Sequence, residues 1–100
     1  MNTNEKIAKW LGINYPLKDH VWVDGADYIL DFLHDRNQQR WMIDEIIKRG
    51  YGIEIVYLLT SKEWNIAIYD CHMEDVVGIY KKDLDSALFE AVEQLIDKTK

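Results

Sequence analysis

The sequence predicts an α+β fold: a three-layer α/β/α sandwich in which a three-stranded antiparallel meander has helices on both faces, in the order ααβββα. Three observations support this. Three segments have the 3.6-residue apolar period and the caps of helices. Three consecutive β-rich segments are joined by short turns. Both faces of these strands are apolar, so each face needs cover. With 100 residues, the chain is predicted to form a single domain, 1–100.

The first predicted helix is TNEKIAKWLG, which Thr3 can cap and which Gly12 ends in the left-handed conformation that glycine tolerates. A long irregular stretch, residues 13–34, follows it. Within that stretch DYILDFL is expected to add at most a short helical turn.

The second predicted helix has the clearest boundaries. Asp35 is its N-cap, Gln38 completes a capping box, and Gly50 ends it. At about 100° per residue the apolar positions form one stripe that we expect to be buried. These positions are Met42, Ile43, Ile46 and Ile47. Trp41 falls almost opposite them.

The predicted strands are Gly52–Thr60, Glu63–Cys71 and the segment DVVGIYK. In the first two, apolar side chains occupy both alternating sets of positions, which is the pattern of a sheet buried on both faces. The closing helix, DLDSALFEAVEQLIDK, is capped by Asp83 and carries a wide apolar stripe.

The composition excludes several classes of function. The net charge is −6 and the lysines and arginines form no stripe, so we expect no non-specific nucleic-acid binding. No apolar run approaches the ~20 residues of a membrane span, and the polar N-terminal stretch is unlike a signal peptide. The single cysteine, Cys71, cannot form an internal disulfide, which fits a reducing cytoplasm. We predict no cofactor.

The segment YDCHMED, residues 69–75, combines a thiol, an imidazole and three carboxylates. In an extended strand Asp70, His72 and Glu74 share one face, where they could offer three ligands to a divalent metal ion. Cys71 then lies on the other face as a half-buried residue, and its acidic neighbours make it a poor nucleophile. The favoured interpretation is a polar turn between two strands, with metal binding as the minor alternative.

Two further features are candidate binding residues. The acidic stretch HVWVDGADYILDFLHD carries no lysine or arginine, and its aromatic residues could form a protein-binding face or stack on a base. The candidates there are Trp22, Asp24, Tyr28 and Asp31. The alternative, which we favour, is that the aromatics pack in the core and the acids are solvated. Trp41 either packs beneath residues 13–34 or is an exposed anchor for a partner.

From about Asp27 to Lys98 the chain resembles the phage ABA sandwich domain family. The resemblance rests on five features: DY at 27–28, the helix capped by Asp35, its glycine end at Gly50, the strand WNIAIYD, and the closing helix DLDSALFEAVEQLI. It implies a phage or prophage origin, and hence the cytoplasm of a bacterial host. It implies no established enzymatic activity and supplies no catalytic residues.

Three classes of function stay open. The first is a small non-catalytic binding protein of phage or prophage origin, a counter-defence inhibitor that binds a host protein or sequesters a small nucleotide-type ligand. The second is a metal-dependent enzyme centred on Asp70, His72 and Glu74. The third is a structural or assembly module that acts through homo-oligomerisation, with a homodimer as its simplest form.

Overall fold

The computed structural model describes residues 2–13, 20–23 and 26–99, and it describes the backbone alone for 20–23 and 26–29. Eight elements follow one another in these ranges. They are α1 (Thr3–Leu11), β1 (His20–Val23), β2 (Ala26–Ile29), α2 (Arg36–Lys48), β3 (Gly52–Leu58), β4 (Glu63–Tyr69), β5 (Asp75–Lys81) and α3 (Leu84–Lys98). None of the helices in these ranges is both long and apolar enough to cross a membrane.

The main sheet is the predicted antiparallel meander, with the strand order β3-β4-β5. Its register pairs Ile55 with Ile66 and Ile66 with Ile79 across the three strands. The α+β class and the order of three helices and three strands are therefore confirmed. The stretch predicted to be irregular contains a separate hairpin, in which β1 pairs with β2. Strands of four residues are too short to produce a clear alternating pattern in the sequence.

The core lies between the helices and one face of the main sheet. The buried sheet residues, Ile66, Ile68, Val77 and Ile79, all share that face and join the buried residues of the three helices in one cluster. The opposite face differs from the expectation of helices on both faces, because Val56 is 42% exposed and Tyr80 is 59% exposed. Isolated apolar side chains are tolerated at a protein surface, so an apolar pattern alone does not require a covering layer.

Helix α2 begins as predicted. The Asp35 carboxylate accepts hydrogen bonds from the backbone N–H groups of Asn37 and Gln38. The helix also ends as predicted, because Gly50 has a φ of 91° just beyond it. The predicted buried stripe, however, is rotated. The buried residues are Gln38, Gln39, Met42 and Ile46, while Ile47 is 58% exposed.

The buried face of α2 includes glutamine side chains whose polar groups are satisfied by hydrogen bonds, and Gln39 shows this most clearly. Gln39 Nε2 donates to the Leu33 carbonyl at 2.8 Å and to Asp85 Oδ1 at 3.0 Å. Arg36 Nη1 donates to the same Asp85 oxygen at 2.7 Å. A buried amide is stable when its hydrogen bonds are satisfied, so Gln39 can be buried although its hydropathy does not predict burial.

Helices α1 and α3 are joined by polar contacts. Asn2, rather than the predicted Thr3, caps α1, and the Thr3 hydroxyl instead donates to Glu93 Oε2 at 2.7 Å. Lys6 Nζ lies 3.2 Å from Asp97 and 3.3 Å from Glu93. The predicted end of α1 is confirmed, because Gly12 has a φ of 74°.

The N-terminus of α3 is capped by Asp83, as predicted. The hydroxyl and the backbone N–H of Ser86 both donate to its carboxylate. These hydrogen bonds hold the pKa of Asp83 below its ordinary value.

Candidate binding surface

The predicted acidic and aromatic candidates fall in and around the β1–β2 hairpin. Trp22 lies in β1 opposite Asp27, and Tyr28 lies in β2 opposite Val21. The side chains of Trp22 and Tyr28 are outside the described part of the chain, and Asp24 is outside it altogether. Whether these residues form a binding face therefore stays a prediction.

Asp31 is committed to the turn that precedes α2. Its carboxylate accepts hydrogen bonds from the backbone N–H of His34 and lies 3.2 Å from Nδ1 of the same histidine. Its backbone N–H donates to Gln38 Oε1, and its carbonyl accepts from the N–H of Asp35. These contacts give Asp31 a structural role in this turn.

Trp41 packs against the core as a half-buried residue and forms one wall of an open groove of about 250 Å³. The groove runs between the end of α1 and the outer face of α2, and Leu11, Ile13, Asp44 and Lys48 also line it. Its acidic and basic side chains give it no single sign of charge. Trp41 is thus partly buried against the core, and its role as an anchor for a partner stays a prediction.

A second groove, of about 350 Å³, lies beside Trp10, Arg49 and Tyr51. Arg49, the cation that lines this groove, already binds other groups of the protein. The Arg49 guanidinium lies over the Trp10 ring at 4.7 Å, donates to the Trp10 carbonyl at 2.6 Å and pairs with Glu45 at 2.7 Å. A nucleotide-type ligand would have to compete with these contacts for the charge it needs, which makes this groove a weak candidate for an anion site.

The segment 70–74 is the turn that we favoured and not an extended strand. β4 ends at Tyr69, and Asp70 Oδ1 accepts hydrogen bonds from the backbone N–H groups of His72 and Glu74. The alternation that placed Asp70, His72 and Glu74 on one face therefore does not apply. Cys71 is exposed in this turn rather than half-buried in the sheet. Among the residues described, no three His, Cys, Asp or Glu side chains are grouped closely enough to hold a metal ion.

The same turn contains Met73, which has a φ of 63° and is 72% exposed. A left-handed conformation costs an L-residue about 1–2 kcal/mol and costs glycine almost nothing. Replacing Met73 by glycine should therefore raise the free energy of unfolding by about 1 kcal/mol, which corresponds to about 4–8 °C in the melting temperature. Thermal unfolding followed by circular dichroism measures this.

Glu74 provides the matched control, because it is exposed, lies next to Met73 and does not have a positive φ. Glu74→Gly should lower the stability by roughly 0.5–1 kcal/mol. A Met73→Gly protein that melts at or below the temperature of the unchanged protein would contradict the assigned turn conformation.

Among the described residues, four of the seven exposed large hydrophobic side chains lie in or just beyond β3, at one edge of the sheet. Ile55 is 40% exposed, Val56 42% and Tyr57 43%, and Leu59, just beyond the strand, is 81% exposed. Ile55 and Tyr57 belong to the face that packs on the helices. Helix α3 lies across β4 and β5, and α2 contacts β3 but leaves Ile55 and Tyr57 partly exposed. Tyr57 rests on Trp64 with ring centroids 5.1 Å apart. We call Ile55, Val56, Tyr57 and Leu59 the β3 patch.

The opposite edge of the sheet, at β5, is protected. Helix α3 packs against β5, Lys98 Nζ donates to the Val76 carbonyl at 2.7 Å, and Lys81 forms an ion pair with Glu90 at 2.9 Å. Charged residues and covering helices are the usual means by which proteins block an edge strand. Between Gly52 and Ser61 the only charged residue is Glu54. Among the described residues, the part of the β3 edge from 55 to 59 therefore lacks the charges and the α3 cover that protect β5.

Sequence reasoning allows either edge of the meander to bind a partner or another copy, but it did not single out β3 as a candidate site. Its signals were visible: apolar residues at both alternating sets of positions, a single charge, and a place at the end of a meander. They were interpreted as burial because a strand covered on both faces has the same pattern.

No family model, curated protein or solved structure matches the chain in the three comparisons made. The resemblance to the phage ABA sandwich family therefore stays a prediction.

Proposed function

We propose that this chain is a small non-catalytic binding protein that recognises an extended segment of a host protein by adding it as a further strand beside β3. The observation that carries the proposal is the β3 patch, which exposes apolar side chains on an unprotected edge strand. Strand addition uses such an edge: backbone hydrogen bonds supply affinity, and alternate side chains supply specificity.

The hairpin geometry indicates which backbone groups face outward. The Leu58 carbonyl accepts a hydrogen bond from the N–H of Lys62 across the turn to β4, so Leu58 directs its carbonyl towards β4. In an antiparallel ladder, successive residues direct their backbone groups to opposite sides. Tyr57, Ile55 and Ile53 therefore direct their N–H and C=O groups away from β4, where a partner strand can bind them.

The side chains define the chemistry of the partner. Ile55 and Tyr57 lie on one face of the edge, and Val56 lies on the other, so a partner strand with apolar residues at successive positions gains contacts on both faces. Glu54 is exposed and favours a lysine or arginine across from it. A mainly apolar segment with one basic residue fits this edge.

The phage or prophage origin, the cytoplasm of a bacterial host as the location, and the counter-defence role rest on the family resemblance together with the small size and acidic charge. The metal-dependent enzyme centred on Asp70, His72 and Glu74 has less support, because the Asp70 carboxylate already accepts two backbone hydrogen bonds within its own turn.

Photocrosslinking followed by titration tests the proposal. A photoreactive amino acid at Leu59, the most exposed residue of the patch, should crosslink a host protein that can be identified and purified. Ile55→Lys should then weaken binding of that purified protein by at least about tenfold, because it places a charge in an apolar contact. Tyr80→Lys, a charge at an exposed position of β5, is the matched control and should leave the affinity within about twofold.

Hydrogen exchange supplies a readout specific to strand addition. On binding, the amides of Ile53, Ile55 and Tyr57 should become protected relative to the free protein at a dilution where it is monomeric, whereas those of β5 should not change. Equal affinities for the Ile55→Lys and unchanged proteins, or protection elsewhere on the surface, would contradict strand addition at β3.

A further inference from the structure

We infer that, without a partner, the β3 edge is occupied by β3 of a second copy of this chain, so that two three-stranded sheets join into one six-stranded sheet. This inference rests on the proposed function, since it names the occupant that a host segment has to displace. The pairing uses the same β3 edge. It is favoured because two antiparallel copies of β3 are complementary in their backbone groups, side chains and charges.

An antiparallel pair with a twofold axis at Ile55 uses every outward backbone group of the strand. Ile55 then faces Ile55 of the second copy, and Ile53 faces Tyr57 in both directions. These three pairs consist of the residues whose N–H and C=O groups point away from β4, so each pair can exchange two hydrogen bonds. About six backbone hydrogen bonds close the joined sheet.

The side chains match in this register. On the face that carries the core, Ile55 meets Ile55 and each Tyr57 meets an Ile53. Aromatic and β-branched residues opposite one another form favourable cross-strand pairs. The exposed surfaces of Ile55 and Tyr57 are thereby covered, and this extends the apolar layer that α3 leaves uncovered at β3.

The charges allow the pairing although the chain has a net charge of −6. Glu54, the only charged residue in β3, lies opposite Val56 and not opposite itself. The two Glu54 side chains are diagonal neighbours about 7–8 Å apart, and both point to the open face, where water screens them. A twofold axis one residue earlier would instead place Glu54 directly against Glu54, which is unfavourable.

The pairing is expected to be weak and reversible. One strand from each copy buries less than the ~1,600 Å² of a standard interface, so dissociation in the micromolar range is expected. A host segment that binds the same edge then competes with the second copy. Dilution favours the monomer, whose β3 edge is free to bind the host segment.

Sedimentation velocity over roughly 1 µM to 1 mM protein tests the pairing. The apparent mass should rise from the 11.9 kDa of one chain towards twice that value. Ile55→Lys, which sets two positive charges against each other at the axis, should stay at one chain mass throughout, while Tyr80→Lys should behave as the unchanged protein. A constant mass of one chain for the unchanged protein, or dimerisation of Ile55→Lys equal to that of Tyr80→Lys, would overturn the inference.

Disulfide trapping tests the register in a Cys71→Ser background, which removes the exposed native thiol. Glu54→Cys and Val56→Cys face each other across the axis with a Cα separation of about 4.5 Å, within disulfide range. Each variant alone places its own two cysteines about 7–8 Å apart. An equimolar mixture should therefore form disulfide dimers at least about tenfold faster than either variant alone, and equal rates would exclude this register.

The two proposals fail separately. If the isolated protein is monomeric but the host segment still binds and protects the β3 amides, only the second-copy inference falls. If the protein dimerises through β3 but the purified host protein binds Ile55→Lys and the unchanged protein equally, the proposed function falls and the pairing stands.

Discussion

Replacing Phe32 by alanine is expected to lower the free energy of unfolding by about 3–5 kcal/mol. Phe32 is fully buried and heads the largest side chains that are completely enclosed in the core. It lies between β2 and α2, and its backbone N–H donates to Asn4 Oδ1 of α1 at 3.1 Å. The substitution removes apolar burial and leaves a cavity where the connection between β2 and α2 meets the core.

Urea unfolding followed by tryptophan fluorescence measures this loss. Phe89→Ala is the matched control, because Phe89 is only partly buried against the same core, and it should lose less stability. A domain of this size has roughly 5–15 kcal/mol of stability, so Phe32→Ala should leave a marginally folded protein. A smaller loss for Phe32→Ala than for Phe89→Ala would contradict the central position of Phe32.

Replacing Gln38 by leucine is expected to cost about 1–3 kcal/mol, although leucine is apolar and similar in size. Gln38 is fully buried. Its Oε1 accepts a hydrogen bond from the Asp31 N–H at 2.8 Å, and its Nε2 donates to Asp35 Oδ2 at 3.4 Å. Leucine would leave the Asp31 N–H without this acceptor in a partly buried turn, which carries a desolvation penalty.

The same substitution at the neighbouring position separates this effect from helix propensity. Asn37 is exposed in the first turn of α2, so Asn37→Leu should change the stability by no more than about 0.5 kcal/mol. Chemical unfolding of both variants measures the difference. Equal stabilities for Gln38→Leu and Asn37→Leu would show that the buried amide contributes nothing beyond its volume.

The helix boundaries were predictable because caps are local. Asp35 and Asp83 accept backbone hydrogen bonds from residues two or three positions away, and Gly12 and Gly50 reach left-handed conformations that their own φ angles allow. The meander was predictable for a similar reason, since short turns between β-rich segments leave few other pairings. The turn at 70–74 followed from its polar composition.

The candidate surface was less predictable because exposure depends on distant neighbours. Ile47, Ile55 and Val56 have the hydropathy of core residues, yet each is at least 40% exposed. Gln38 and Gln39 are polar and buried. A strand covered on both faces and a strand at an open edge can have the same apolar pattern. Which of the two forms depends on where the helices pack, and that information is not local.

The sequence by itself thus determined the class of fold, the order of its main elements, the N-caps of α2 and α3 and the glycine ends of α1 and α2, because hydrogen bonds between near neighbours control these features. Only the tertiary structure decided that α3 lies across β4 and β5, that α2 buries its two glutamines, and that β3 is left open. Packing decides these features because it sums contacts between segments far apart in the chain. The open β3 edge, and with it the proposed binding surface, is a product of that packing.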